Sequence, residues 1–320
     1  MQEVTCHQVS AERMALALDD VEGRAFGWWH GMQYDSFRLK KLRGMRDELL
    51  DHVAARAPEE PALDSASRTV LRTAAECSRG LLDLGCWPNG DQEIVFALVR
   101  ERISSDDKAF VDVIDEAPTA ATWIETFEMC VSSGLVWEWR RAIGVSLRDE
   151  NAPAIRDGVP YSKHDSVSDP VDLAAMDALC GYLTPERGHL PRDWPTVTLR
   201  KPDADEHAEA ARRLDAAGTL TPDRHLLRVL LDDDQNAFEQ ALAARLIEHR
   251  ENAGSDPDPA PRTLLPLGAI TLAGLAVQAH GWELGVRSGY LPSGMLGSPD
   301  ALRRAPEQND LGYWTAGSPG

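Results

Sequence analysis

The stretch "LLPLGAITLAGLAVQAHGWELGVRSGYLPSGML", residues 264–296, is the most apolar part of an acidic chain of 320 residues. Its first part, Leu264 to Ala279, is 16 residues long, carries no charge and includes Pro266. A membrane-spanning helix needs about 20 apolar residues. The run is therefore too short, and it predicts a helix over 267–279 that is buried on all sides in a protein core.

The second part of the stretch predicts a change of structure. Gly281 predicts the end of the helix, and Trp282, Leu284 and Val286 then alternate with charged residues and glycine. Alternation with a period of two is typical of a β-strand. Tyr290-Leu291-Pro292 predicts a turn after the strand.

Helical spacing dominates the rest of the chain. Thr5 to Gln8 has the spacing of a capping box and predicts the start of an N-terminal helix. Residues 36–57 predict an amphipathic helix with one apolar stripe, formed by Leu39, Leu42, Met45, Leu49 and Val53. Asp64 or Ser65 can cap the helix that follows. Further helices are predicted over 119–148 with a break near Gly134, over 171–183, and three times within 203–254, where Thr221 or Pro222 and Asp234 begin the second and third.

A few segments do not have this spacing. Ile94 to Val99 predicts a short strand, whereas 106–118 fits a helix or a strand equally well. Residues 149–170 and 184–202 predict long loops. The expected fold class is mainly α, a bundle or array of packed helical hairpins with a few short β-strands. We expect one helical domain over 1–297, which would divide near 150–170 if it divides, and a loop-like tail over 298–320.

Charge and cysteine content limit the possible partners and the compartment. The chain has 52 Asp and Glu against 33 Lys and Arg, a net charge of −19. Such a protein is repelled by nucleic acid and by anionic membranes and attracts basic partners. The five cysteines are widely spaced without a C-x-x-C motif, which indicates reduced, buried thiols. With no signal peptide at the N-terminus, the sequence predicts a cytoplasmic protein.

Motifs for catalysis are missing from the sequence. The nine histidines show no metal-binding spacing, and there is no nucleophile elbow, phosphate-binding loop or dinucleotide fingerprint. Asp232-Asp233-Asp234 allows two interpretations: a magnesium site in an all-helical enzyme, or a helix cap with solvated neighbours. The lack of a second acidic motif favours the cap. We therefore predict no catalytic, cofactor-binding or metal-binding residues.

The distribution of carboxylates suggests where a partner binds. Residues 91–130 hold ten Asp and Glu against three Lys and Arg. Such a surface can steer a basic partner, although a solvated face would have the same composition. The candidate partner-binding residues are Asp106, Asp107, Asp112, Asp115, Glu116, Asp232, Asp233 and Asp234. The nine tryptophans, densest at 27–31 and 136–141, could anchor an interface, but core positions are favoured.

Taken whole, residues 264–296 resemble the C-terminal end of the immunity protein 49 family. The resemblance lies in the helix "LLPLGAITLAGLA", the extended "GWELGVRS" and the turn in "GYLPSGML". A looser similarity extends upstream through the tryptophan-containing helices at 119–148. Members of this family are predicted antidotes encoded beside toxin genes in bacterial polymorphic-toxin systems. The resemblance implies a mostly helical, non-enzymatic protein and supplies no catalytic residues.

The function that this resemblance implies is binding and neutralisation of a cognate protein toxin. The acidic composition suggests that carboxylates cover a basic site on the toxin, and a nuclease would present such a site. Two alternatives stay open. One is an all-helical magnesium enzyme that uses Asp232 to Asp234, and the other is a helical scaffold for protein interactions.

Overall fold

Helices make up most of the structure, a computed structural model that describes residues 2–35, 37–106, 109–110, 113–138, 141–188 and 197–298. The mainly α fold class is confirmed, with two small sheets of two strands each in the described part. The α-helices are α1 (Ala11–Leu18), α2 (Val21–His30), α3 (Leu39–Arg56), α4 (Ser65–Cys86), α5 (Ala120–Ser132), α6 (Ile143–Val145), α7 (Ala152–Arg156), α8 (Pro170–Cys180), α9 (Ala204–Ala217), α10 (Pro222–Leu230), α11 (Gln235–Gly254), α12 (Leu267–Gln278) and α13 (Ser293–Leu296). The tail predicted over 298–320 lies, apart from Ser298, outside the described residues.

Helix α12 is the core helix that the apolar run predicts. Every residue of α12 after Leu267 is buried, and the helix packs against α5, α10, α11 and α13. Thr271, the hydroxyl-bearing residue of α12, donates its Oγ1 hydrogen to the Glu128 carbonyl oxygen at 3.1 Å. The predicted end is confirmed as well, since Gly281 has a φ of +73° just after the helix.

Helices α3 and α4 form a long hairpin on one side of α5. The predicted stripe of α3 is confirmed, because its five apolar side chains are all at most 2 % exposed. Asp64 caps α4 by accepting a hydrogen bond from the Ser67 backbone N–H at 2.7 Å. Buried apolar side chains of these helices and of α12 belong to one continuous cluster, which includes residues from Val4 to Met295.

One of the two small sheets joins neighbouring segments of the chain, and the other joins segments far apart in sequence. Strands β2 (Glu93–Phe96) and β3 (Glu101–Ser104) form an antiparallel hairpin, with Ile94 opposite Ile103. Strand β1 (Gln2–Val4) pairs in parallel with β4 (Val286–Ser288), which brings the N-terminus against the C-terminal stretch 264–296. Residues 97–99 lie in the turn of the hairpin, so the predicted strand is confirmed only through Phe96.

Three local predictions are wrong. The Thr5–Gln8 spacing does not start a helix: α1 begins at Ala11, and the Ser10 side chain caps it by accepting from the Arg13 N–H. Residues 149–170 are not all loop, because a π-helical turn and α7 occupy 146–156. The strand after α12 does not include Trp282 or Leu284, since β4 begins at Val286, where β1 supplies the backbone partners.

The cysteines behave as predicted. All five thiols are free, four are buried, and burial raises the pKa of Cys86, Cys130 and Cys180 to about 12. Such thiols stay protonated and unreactive near neutral pH. Among the described residues, no helix combines the length and the apolar character that crossing a membrane requires.

Candidate interaction surfaces

The three aspartates at 232–234 lie in the turn between α10 and α11, and each already has a partner within the chain. Asp234 caps α11 by accepting from the backbone N–H groups of Asn236 and Ala237, at 2.9 and 3.1 Å. Asp232 pairs with Arg228 one helical turn earlier, at 2.5 Å. The helix-cap interpretation of Asp234 is confirmed.

Asp233 is the centre of a longer chain of contacts. Its backbone has a φ of +56°, a left-handed conformation that Asp tolerates better than most residues. One carboxylate oxygen lies 2.6 Å from the Lys201 Nζ, and the other lies 2.8 Å from the His280 Nδ1. The His280 Nε2 is in turn 2.9 Å from the hydroxyl of the buried Tyr182. The Lys201–Asp233–His280–Tyr182 chain is called the aspartate cluster below.

The electrostatics of the aspartate cluster favour a neutral histidine and an ionised aspartate. Burial lowers the pKa of His280 to about 4, although the nearby Asp233 carboxylate favours the protonated ring. Burial opposes ionisation of Asp233, but hydrogen bonds from Lys201 and His280 outweigh it and keep the pKa of Asp233 below its usual value. At neutral pH, His280 therefore donates Nδ1–H to Asp233 and accepts the Tyr182 hydroxyl hydrogen at Nε2.

Two cavities lie next to this cluster, and α9 contributes to the walls of both. These cavities, of about 610 Å³ each, lie on either side of the buried His207, which stacks on His280 with ring centroids 5.5 Å apart. Their walls carry both signs of charge. Arg156 pairs with Asp177, and Arg228 pairs with Asp215 at 2.9 Å. The walls are therefore held together by internal ion pairs.

The magnesium interpretation of Asp232 to Asp234 finds no geometric support. Lys201 pairs with Asp233 and Arg228 pairs with Asp232, while Asp234 caps α11. Within the part of the chain that the structure describes, no group of three or more His, Cys, Asp or Glu side chains could hold a metal ion.

The other predicted surface, the acidic segment 106–116, has a different character. Buried apolar side chains fix it to the core, and the Phe110 ring packs edge-on against Phe37 at 5.7 Å. Asp106, Asp115 and Glu116 are exposed. Glu116 pairs with Arg43 of α3, whereas neither Asp106 nor Asp115 has an ion-pair partner among the described residues. Asp107 and Asp112 lie outside the described residues.

The core interpretation of the tryptophans is confirmed for those that the structure describes. Trp29 and Trp123 are buried, and Trp28, Trp87, Trp137 and Trp282 pack against the core. Sequence reasoning missed their neighbours Phe26 and Tyr34, which are 46 % and 65 % exposed. Phe26 and Tyr34 lie four residues before and four residues after His30, which places all three on one helix face. This spacing of aromatic residues is visible in the sequence and could have identified them.

The comparison with protein-family models identifies the chain. The model described as immunity protein 49 matches residues 58–295, well over half of the chain. The chain belongs to the immunity protein 49 family. The match covers the acidic segment and the aspartate cluster, and it begins after α1, α2 and α3. No curated protein and no solved structure matches the chain.

Proposed function

We propose that this member of the immunity protein 49 family binds a cognate protein toxin of a bacterial polymorphic-toxin system and neutralises it in the cytoplasm. The family match over 58–295 carries the proposal, because an immunity protein acts on a toxin. The protein then needs a recognition surface rather than a catalytic centre. Its net charge of −19 suits a toxin with a basic functional site, such as a nuclease.

The acidic segment 106–116 is the better of the two candidate surfaces for this role. Asp106 and Asp115 are exposed and have no internal cation in the described part, so their charges remain available to Arg or Lys of a partner. Asp232 and Asp233 would have to give up Arg228, Lys201 and His280 before binding another cation. We therefore propose toxin contact first for Asp106 and Asp115, and with them for Asp107, Asp112 and Glu116, of which Glu116 also pairs with Arg43. For Asp232 to Asp234 we propose a mainly structural role.

We also propose that residues 1–297 act as one unit. The apolar cluster from Val4 to Met295 and the β1–β4 pairing support this division, because both connect the N-terminal helices to the C-terminal segment. A toxin-binding surface could then combine residues from both sides of the start of the family match.

The test is growth rescue together with direct binding, using the toxin domain encoded beside this gene. Co-expression of the wild-type chain should restore growth of cells that produce this domain. The Asp106→Lys/Asp115→Lys variant should bind it at least about tenfold more weakly, since two attractive charges become repulsive. Asp205→Lys/Glu251→Lys is the matched control: both residues are exposed, and the net charge changes equally.

The outcomes separate function from surface. If the wild-type chain neither binds the toxin domain nor rescues growth, the proposed function is wrong. If the control variant loses as much affinity as Asp106→Lys/Asp115→Lys, only the total charge matters and the assignment to the acidic segment is wrong.

A further inference from the structure

An exposed row of aromatic rings lies on the surface of α2, outside the part of the chain that the family match covers. Phe26, His30 and Tyr34 follow one another at intervals of four residues, and all three are exposed. The Phe26 and His30 ring centroids are 6.2 Å apart, and those of His30 and Tyr34 are 4.7 Å apart. The three side chains, called the aromatic row below, therefore form a continuous surface.

A change of helical winding produces this arrangement. Helix α2 continues directly into a π-helical turn over Gly31–Asp35, where the chain is wound more widely than in an α-helix. The wider turn brings Tyr34 against the ring of Trp29 five residues earlier, with centroids 6.0 Å apart. π-Helical turns are rare and occur frequently at functional sites. Trp29 is buried, so the exposed row has a rigid support.

Three contacts place the aromatic row next to the acidic segment. The Trp29 indole N–H donates to the Arg102 carbonyl oxygen of β3 at 3.2 Å. Phe37, which follows the π-helical turn, packs against Phe110. Arg43 at the start of α3 pairs with Glu116. The N-terminal helices therefore pack directly on β3 and on the segment that holds Asp106 and Asp115.

Uncompensated charge around the row is mainly negative. Arg102 pairs with Glu93 at 2.8 Å, whereas the Lys41 Nζ donates to the Gly31 carbonyl oxygen at 2.9 Å and has no ion-pair partner among the described residues. Lys40 and Arg100 are exposed cations without an ion-pair partner in the described part of the chain. They are outnumbered by exposed carboxylates that likewise lack one there, namely Asp19, Glu22, Asp35, Asp106 and Asp115.

We propose that the aromatic row is the apolar centre of the toxin-binding surface and that the acidic segment is part of its charged border. The fitting partner is a protein face with Arg and Lys around a small apolar area. Aromatic side chains at the centre of an interface usually contribute most of its binding free energy, while charged borders steer association. This inference rests on the proposed function and adds that residues before position 58 provide the main anchors.

The aromatic row and its acidic border lie in different parts of the chain with respect to the family match. The acidic border lies within the family match, whereas the aromatic centre lies in the N-terminal segment that precedes it. Removal of the row should therefore weaken binding of the cognate toxin and leave the fold of the matched region intact.

The experiment measures affinity for the toxin domain encoded beside this gene, with the full chain in three forms: the wild type and two double variants. Phe26→Gln/Tyr34→Gln removes the two ends of the row. Tyr161→Gln/Val167→Gln is the matched control, because these side chains are 59 % and 84 % exposed in the segment between α7 and α8. We expect the dissociation constant to rise at least about tenfold for the first variant, as for interface anchors, and less than about threefold for the second. Circular dichroism and thermal unfolding verify that both variants fold like the wild type.

Hydrogen–deuterium exchange on the wild-type complex gives a second readout. Peptides that cover 22–37 should gain protection on binding, together with peptides that cover 101–116. Light scattering of the free wild-type chain tests whether the row instead joins two copies of this protein.

Three results would overturn the inference. Equal affinity of Phe26→Gln/Tyr34→Gln and the wild type, with rescue intact, would refute the aromatic anchor and leave the proposed function standing. A wild-type dimer that becomes monomeric in this variant would assign the row to self-association. If the wild-type chain binds no toxin domain at all, the proposed function fails and this inference fails with it.

Discussion

Two buried tyrosines, Tyr182 and Tyr290, are each held by a histidine from a distant part of the chain, but their surroundings differ in charge. Tyr182 belongs to the aspartate cluster, which ends in the Asp233–Lys201 ion pair. Tyr290 lies in the predicted turn after β4, and its hydroxyl accepts from the His7 backbone N–H at 2.8 Å. The same hydroxyl is 2.6 Å from the His7 Nδ1, to which it donates.

The surroundings of Tyr290 contain hydroxyl and carbonyl groups instead of a carboxylate. The His7 Nε2 donates to the Thr263 Oγ1 at 2.9 Å, and the His249 Nε2 donates to the Thr263 carbonyl oxygen at 2.7 Å. We call this group of Tyr290, His7, Thr263 and His249 the terminal cluster. Its neutral hydrogen bonds hold the N-terminus against the C-terminal stretch 264–296, in addition to the β1–β4 pairing.

The difference shows how each cluster should respond to a change of conditions. Burial lowers the pKa of His280 in the aspartate cluster, and it also lowers the pKa of His7 and His249 in the terminal cluster. Both clusters therefore resist protonation. Only the aspartate cluster contains a charged acceptor, so loss of the Asp233 side chain as the acceptor of His280 should cost more than loss of a neutral hydrogen bond in the terminal cluster.

The largest expected effect is the loss of stability on acidification through His280. Its pKa is about 4 in the folded chain and near 6.5 when the chain is unfolded. The unfolded chain therefore binds more protons between these values, so stability is complete above about pH 6.5 and falls as the pH drops toward 4. The contribution of this one group is about 3 kcal/mol over that interval.

Urea unfolding at several pH values checks this expectation. The free energy of unfolding of the wild type should fall more steeply between pH 6.5 and pH 4 than that of His280→Gln, which cannot titrate. His164→Gln is a suitable control, because the His164 ring is half-buried and its Nε2 donates to the Ile114 carbonyl oxygen at 3.1 Å. Parallel curves for wild type and His280→Gln would contradict the neutral buried histidine.

Local sequence patterns predicted those features whose causes are close together in the chain. The stripe of α3, the caps at Asp64 and Asp234 and the burial of α12 all follow from residues within a few turns of one helix. Both tyrosine clusters escaped prediction, because Tyr182 lies 98 residues from His280 and His7 lies 283 residues from Tyr290. Nothing in a local pattern of spacing could pair such residues.

The candidate surfaces illustrate the same limit. Carboxylate density selected 106–116 and Asp232–Asp234 alike, and only the fold shows that Lys201 pairs with Asp233 and that the neutral His280 donates a hydrogen bond to it. The three-residue strand β1 has too few residues to show alternation, and its partner lies at the other end of the chain. The capping-box spacing of Thr5 to Gln8 misled for a related reason: the backbone there leads out of β1 toward the His7–Tyr290 contact.

A smaller effect should follow from Asp233→Ala, which breaks the ion pair of the aspartate cluster. The change leaves the buried His280 without its acceptor and places alanine at a φ of +56°. Together these should lower the free energy of unfolding by about 2 kcal/mol. Asp233→Asn is the control, since asparagine tolerates the backbone and keeps an acceptor for His280, so it should lose at most about 1 kcal/mol. A loss for Asp233→Asn as large as that for Asp233→Ala would assign the effect to the charge and not to the backbone or the hydrogen bond.

The smallest effect should come from Tyr290→Phe in the terminal cluster. The ring stays and fills the same space, but the His7 backbone N–H loses its acceptor and Nδ1 loses its donor. Neutral hydrogen bonds contribute about 1 kcal/mol each, and part of the loss is offset because His7 is only partly buried and can reach water. We expect the free energy of unfolding to fall by about 1 kcal/mol.

Hydrogen exchange should speed up selectively over residues 2–9, where the N-terminus is fastened, and remain unchanged over α12. Tyr182→Phe is the comparison variant, and its exchange should speed up near 280–284 instead. If Tyr290→Phe loosens α12 as well as the N-terminus, the terminal cluster is part of the core and not a separate fastening of the chain ends.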